Sequence, residues 1–233
     1  MTSPTRHLVT GAGSGIGAAL VGALHGRGDA LLLLARSSER ADELAATYPG
    51  AATLVADLAD PPGLRRALAE ARLPDALDSV IHVAGAVDLA PVAELDLADW
   101  QRQLDVNLTA PALLTKTALP ALRAARGLVL FVNSGAGLSA HPDWSGYAAS
   151  KFGLRALADA LRGEEKPHGV RVTTVFPGRT ATPMQEKVHG QEGRDYDASA
   201  WIAPDTVAAT ILHVLDLPRD ATIPEVSVHP APR

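Results

Sequence analysis

Thr10-Gly11-Ala12-Gly13-Ser14-Gly15-Ile16-Gly17 follows a short apolar run, His7-Thr10, and leads into an amphipathic stretch, Gly15-Arg27. Gly11, Gly15 and Gly17 therefore fall where a first strand ends and a first helix begins. There the chain must turn tightly, bring its backbone close to a ligand and pack helix on strand without a Cβ between them. The helix amino end offers unpaired N–H groups and a positive dipole end to an anion, and a dinucleotide pyrophosphate suits that seat. A P-loop is excluded, because Ala18 and Ala19 stand where it needs Lys and Ser/Thr.

Outward from this turn, apolar runs alternate with longer amphipathic segments. Strands are predicted at His7-Thr10, Ala30-Ala35, Ala52-Ala56, Ser79-Val83, Leu128-Asn133, Val170-Phe176 and Val226-His229. Helices are predicted at Gly15-Arg27, Ser38-Thr47, Pro61-Ala71, Leu97-Ala125, Ser145-Glu165 and Pro204-Leu215. Most strand runs are continuously apolar, as strands covered on both faces require. The alternation predicts an α/β fold: a doubly wound, seven-stranded parallel sheet with helices on both faces. Residues 1–233 read as a single-domain Rossmann fold. The polar segment at about 179–200 is expected to be a mobile loop or short helix over a site.

The bulk numbers restrict the partners. A net charge of -5 over 233 residues gives no basic face for nucleic acid or an anionic membrane. Without cysteine there is neither a disulfide framework nor a thiolate metal site. The eight histidines show no metal-binding spacing, so no metal is expected. Met1-His7 lacks the apolar core of a signal peptide, and runs such as Ala30-Ala35 are too short to span a bilayer. A cytoplasmic location is expected.

The second informative group lies in the middle of the chain. Ser134 ends a predicted strand, and Tyr147 and Lys151 share one face at the start of the next helix. Carbonyl reduction needs a hydride on carbon and a proton on oxygen. A free phenol, with a pKa of about 10, transfers that proton poorly near neutrality. An ammonium about 4 Å away contributes about 4 kcal/mol at an effective dielectric of about 20. It would draw the phenol down by up to about three units before desolvation opposes it. Ser134 could donate to the carbonyl oxygen. A hydrolase elbow is absent, since neither Ser134 nor Ser139 lies in Gly-x-Ser-x-Gly.

Together and in this order, the Thr10-Gly17 segment, Ser134, Tyr147 and Lys151 resemble the classical short-chain dehydrogenase/reductase family, over nearly the whole chain. The resemblance implies a carbonyl reductase or alcohol dehydrogenase, with Tyr147 as general acid/base. It also implies that Asn107 holds a water linking Lys151 to solvent, and that Lys151 bonds the nicotinamide ribose. Gly11, Ser14, Gly15, Ile16 and Gly17 would seat the pyrophosphate. Asp57 and Leu58 would meet the adenine; Ala84, Gly85, Pro177, Gly178 and Thr182 would meet the rest of the cofactor. After the second strand Arg36 and Ser37 replace the usual acid. A guanidinium with a hydroxyl suits a 2′-phosphate, so NADP(H) is expected over NAD(H). His82-Val83-Ala84-Gly85 departs from the family's Asn-Asn-Ala-Gly, so the structural asparagine hydrogen bonds must be replaced or lost.

The substrate, a small carbonyl compound or alcohol, is expected against Leu138, His141, Pro142 and Trp144, with Met184 and Gln185 above. By family analogy the chain pairs as a homodimer or homotetramer, which the apolar faces of Leu104-Leu122 and Phe152-Leu161 permit. The alternative is a non-catalytic NADP(H)-binding regulatory protein on the same fold.

Overall fold

The computed structural model describes residues 4–232. At its centre β1 (Arg6–Thr10) pairs in parallel with β2 (Ala30–Ala35) on one side and with β4 (Ser79–His82) on the other. With β3 (Ala52–Val55), β5 (Leu128–Val132), β6 (Arg171–Pro177) and β7 (Glu225–Val228), the strand order is β3-β2-β1-β4-β5-β6-β7. Every pairing is parallel. The order reverses at β1, and the crevice beyond the carboxyl ends of β1 and β4 is where such sheets place a ligand.

The continuous apolar runs serve two cores. Side chains alternate along a strand, so Leu8, Val80, Val129 and Phe131 enter one layer and Val9, Ile81, Leu128 and Leu130 the other. The first layer packs against α3 (Pro61–Glu70), α5 (Ala110–Ala125) and α6 (Ser145–Glu165). The second packs against α1 (Gly15–Gly26), α2 (Ser38–Thr47) and α8 (Pro204–Leu215). All seven sequence-based strands and five of the six helices are present, with ends shifted by at most one residue.

One predicted helix is wrong in a consequential way. Leu97-Ala125 is not continuous: α4 (Leu97–Leu104) gives way to a π turn, Asp105–Thr109, before α5. Ala110 N–H donates to Asp105 O, five residues back. No glycine or proline marks the turn itself, so apolar periodicity alone reads straight through it. Residues 179–200 contain α7 (Pro183–Gln191), capped by Thr182, and a 3₁₀ turn at Ala198–Ala200. Among the described residues no helix is long and apolar enough to cross a membrane, and no group of His, Cys, Asp and Glu could hold a metal ion.

Candidate active site

Over the carboxyl ends of the central strands lies a cleft of about 1520 Å³. That exceeds the ~300–1,000 Å³ of most small-ligand pockets and leaves room for a dinucleotide beside a substrate. Its floor is the Gly11–Gly17 turn. A Cβ on Gly11 would come within 2.7 Å of Ala84 N, and one on Gly17 within 1.9 Å of Gly11 O. Glycine is required there because β1, β4 and α1 meet backbone to backbone. Helices α2, α3, α4 and α7 carry side-chain caps at Ser37, Asp60, Asp96 and Thr182, whereas Ser14 makes no cap bond at the start of α1. That amino end keeps N–H groups for an anion from the cleft.

Along one wall stand Ser134, at the end of β5, and Tyr147 and Lys151, in the first turns of α6. Lys151 Nζ donates to Val132 O at 3.0 Å and lies 5.7 Å from the centroid of the Tyr147 ring. Both side chains are buried. Burial pushes the phenol up to about 12, partly offset by a hydrogen bond with Ser134. Burial alone draws the ammonium down to about 8. Desolvation, the effect expected to oppose the phenol's fall toward neutrality, sets its direction in this pocket.

Behind the wall, the π turn directs Asn107 into the interior rather than into the cleft. Its amide accepts from Ala86 N at 2.8 Å and donates to Ala86 O at 2.8 Å and Ser150 Oγ at 2.9 Å. Ser150 donates in turn to Tyr147 O at 2.7 Å. Asn133, which sequence reasoning passed over, donates to Lys151 O at 3.0 Å and accepts from Ser134 N at 2.8 Å. It ties the serine's strand to the lysine's helix. Polarity at a strand end was the only sequence signal for it.

A model of the short chain dehydrogenases matches residues 6–193. This chain belongs to the short-chain dehydrogenase family. An uncharacterized short-chain type dehydrogenase/reductase of Sinorhizobium fredii is 32% identical over 228 residues, covering 96% of this chain and 90% of the relative. Serine 3-dehydrogenase of Agrobacterium fabrum is 32% identical over 235 residues, covering 96% and 92%. Among solved structures, the alcohol dehydrogenase of the archaeon Thermococcus sibiricus, complexed with 5-hydroxy-NADP, superposes with a TM-score of 0.82 at 26% identity. That match covers 98% of this chain and 97% of the archaeal one.

In this short-chain dehydrogenase, Gly11, Ser14, Gly15, Ile16, Gly17, Arg36, Ser37, Asp57, Leu58, Ala84, Gly85, Ser134, Tyr147, Lys151, Pro177, Gly178 and Thr182 all line the one cleft. Asn107 does not. Two hydroxyls proposed from sequence are already engaged: Ser37 accepts from Arg40 N at 3.3 Å, and Thr182 accepts from Gln185 N at 3.2 Å. Of the substrate wall, His141, Pro142, Trp144, Met184 and Gln185 face the cleft, whereas Leu138 is turned away and 39% exposed. Arg179 also lines the cleft; its guanidinium lies 5.9 Å from the Trp144 ring and 5.5 Å from Trp201 and is paired with Glu192.

The departure from the family's asparagines has a physical resolution. Thr10 Oγ1 accepts from both Val83 N and Ala84 N at 3.2 Å. His82 is buried, stacks on Phe131 with ring centroids 4.9 Å apart, and bonds Thr115 Oγ1 at 2.9 Å. Burial lowers its pKa to about 3, which holds it as a neutral core imidazole.

Proposed function

We propose that this short-chain dehydrogenase interconverts a ketone or aldehyde with the corresponding alcohol, using NADP(H), with Tyr147 as general acid/base. One observation carries the reading. The buried Tyr147 phenol, Ser134 and Lys151 converge in the same cleft as the uncapped, glycine-floored start of α1. When bound, the nicotinamide supplies or accepts the hydride.

The residues divide the remaining work. A phenol held at about 12 is fully protonated at neutral pH, which supports a resting enzyme poised to donate to a carbonyl oxygen. Ser134 offers that oxygen a second donor, so charge developing in the transition state is met by a preorganised group. Lys151, charged below about pH 8, has spent one N–H on Val132 O and retains two for a ribose hydroxyl and for the tyrosinate's field. Asn107 has both amide hydrogens committed, so its part is to steady Ala86 and Ser150 behind the wall. Helix α7 and residues 179–200 cover the substrate.

Arg36 lines the adenosine end of the cleft, exposed and without an acid at its strand end. That supports NADP(H) over NAD(H), as does the archaeal relative complexed with 5-hydroxy-NADP. The serine 3-dehydrogenase relative supports a CH–OH group as the reacting centre. Phe152, 42% exposed on α6, supports pairing of that helix face with a second copy. The test is NADPH oxidation with a panel of small ketones, aldehydes and oxo acids, beside calorimetric NADPH binding without substrate. Carbonyl-dependent oxidation is expected. Tight binding with no turnover across a broad panel would favour a regulatory protein instead.

A further inference from the structure

Gly13 is the one glycine of the Thr10–Gly17 stretch that the pyrophosphate seat leaves unexplained. A Cβ there would fall 2.0 Å from Arg40 Nη2. Arg40 sits in the first turn of α2, and that same nitrogen donates to Gly13 O at 2.6 Å. Its other terminal nitrogen pairs with Glu43, one turn further along. The guanidinium thus bridges the phosphate loop and the helix that follows Arg36. Gly13, Arg36, Arg40 and Glu43 line the same end of the cleft.

The arrangement is poorly explained as a brace alone. Gly13 O and Glu43 engage two of five N–H donors, leaving the others for a further acceptor. A guanidinium fork matches the oxygens of a phosphate bidentately. Glu43 is the opposing element: it neutralises Arg40, and a carboxylate lining an anion site repels the anion. It is 59% exposed and meets Arg40 across one turn of the helix.

We propose that Arg40 is a second guanidinium for the 2′-phosphate of a phosphorylated adenosine ribose, and that Glu43 occupies it until that phosphate arrives. Glu43 would then set how strongly the enzyme prefers the phosphorylated dinucleotide. The proposal rests on the NADP(H) reading and deepens it.

The test needs no turnover. 2′,5′-ADP and 5′-AMP, which differ only in the 2′-phosphate, are titrated calorimetrically into wild type and the variants Arg36→Met, Arg40→Met, Arg40→Lys and Glu43→Gln. Arg40→Met is expected to weaken 2′,5′-ADP about tenfold, the scale of one charge-assisted bond, with 5′-AMP changed less than about twofold. Arg40→Lys should recover part of that loss. Glu43→Gln should strengthen 2′,5′-ADP several-fold, and the gain should vanish in the Arg40→Met background. Equal weakening of both ligands by Arg40→Met would make Arg40 a brace of the loop and overturn the proposal. So would a Glu43→Gln gain that persists without Arg40. If wild type prefers 2′,5′-ADP and only Arg36→Met removes the preference, this proposal falls while the NADP(H) reading stands. If wild type does not distinguish the two ligands, both fall.

Discussion

The two ends of the cleft are built on opposite plans. At the nucleotide end the backbone does the work: glycines let strands and helix close on one another, and Ser14, Arg36 and Asp57 are exposed. At the catalytic end the side chains do the work, and Asn107, Asn133, Ser150 and Lys151 are buried, each holding at least one hydrogen bond. Under the proposed function, affinity and choice of cofactor can therefore be altered by surface substitutions, whereas the proposed proton donor is embedded in the core. Each end should fail in its own way.

The largest effect is expected where one hydroxyl carries the chemistry. Tyr147→Phe should bind NADPH within about twofold of wild type yet lose 10²–10⁴-fold in kcat, the usual span of general acid catalysis. Retention of about a tenth of the activity would transfer the proton to another group. Next comes the backbone plan. Gly17→Ala drives a Cβ to 1.9 Å from Gly11 O and should cost about 3 kcal/mol or more in urea unfolding, with loss of cofactor binding. Normal stability in the Gly17→Ala variant would show that the helix–strand contact is loose.

Cofactor choice should respond to a single surface charge. Arg36→Asp is expected to turn a roughly ten- to hundredfold preference for NADPH in kcat/KM into a preference for NADH, since attraction becomes repulsion. High salt should shrink both preferences. An unchanged ratio would separate Arg36 from the phosphate.

A smaller effect belongs to the buried end. His82 has a folded pKa of about 3 against 6.5 unfolded, so between those values the unfolded chain binds the extra proton. Stability tied to this imidazole is complete at neutral pH and is lost as pH falls through 6.5 toward 3, by about 2 kcal/mol at pH 5. His82→Asn should remove that increment from the difference between pH 8 and pH 5 in urea midpoints, leaving the slope from His7, whose pKa burial also lowers. An unaltered difference would mean that His82 titrates freely. Smallest is Gly22→Ala, exposed in α1 with nothing within 4 Å of the added methyl, expected to stabilise by about 0.5–1 kcal/mol.

The same contrast explains what the sequence made legible. The glycine turn, the seven strands and the trio Ser134, Tyr147, Lys151 are local patterns: spacing within one turn or one strand end identifies them. Arg40 and Asn133 escaped because each acts between elements distant in sequence, and their partners Gly13 and Lys151 are known only once the helices have direction. The phenol's acidity was misjudged for a related reason. Proximity of Lys151 is written in the four-residue spacing, but the burial that raises the phenol comes from the packing of Val87, Ala136, Trp144 and Val188 around the ring. Leu138 was misplaced because nothing local shows which way the residue that follows the 3₁₀ turn Gly135–Gly137 points its side chain.

The π turn at Asp105–Thr109 has an arithmetical consequence. It is an α-helix carrying one surplus residue, and each residue of an α-helix advances the side chains by about 100°. Deleting one residue within it would restore an unbroken helix and leave the two flanking segments nearly in place, because a π turn takes up its surplus residue locally. Gln103, which accepts from Asp88 N at 3.0 Å, would keep its loop, whereas Asn107, which accepts from Ala86 N, would lose the bulge that carries it. The surplus residue in the helix between β4 and β5 thus serves the wall of the cleft and not the packing of the helix.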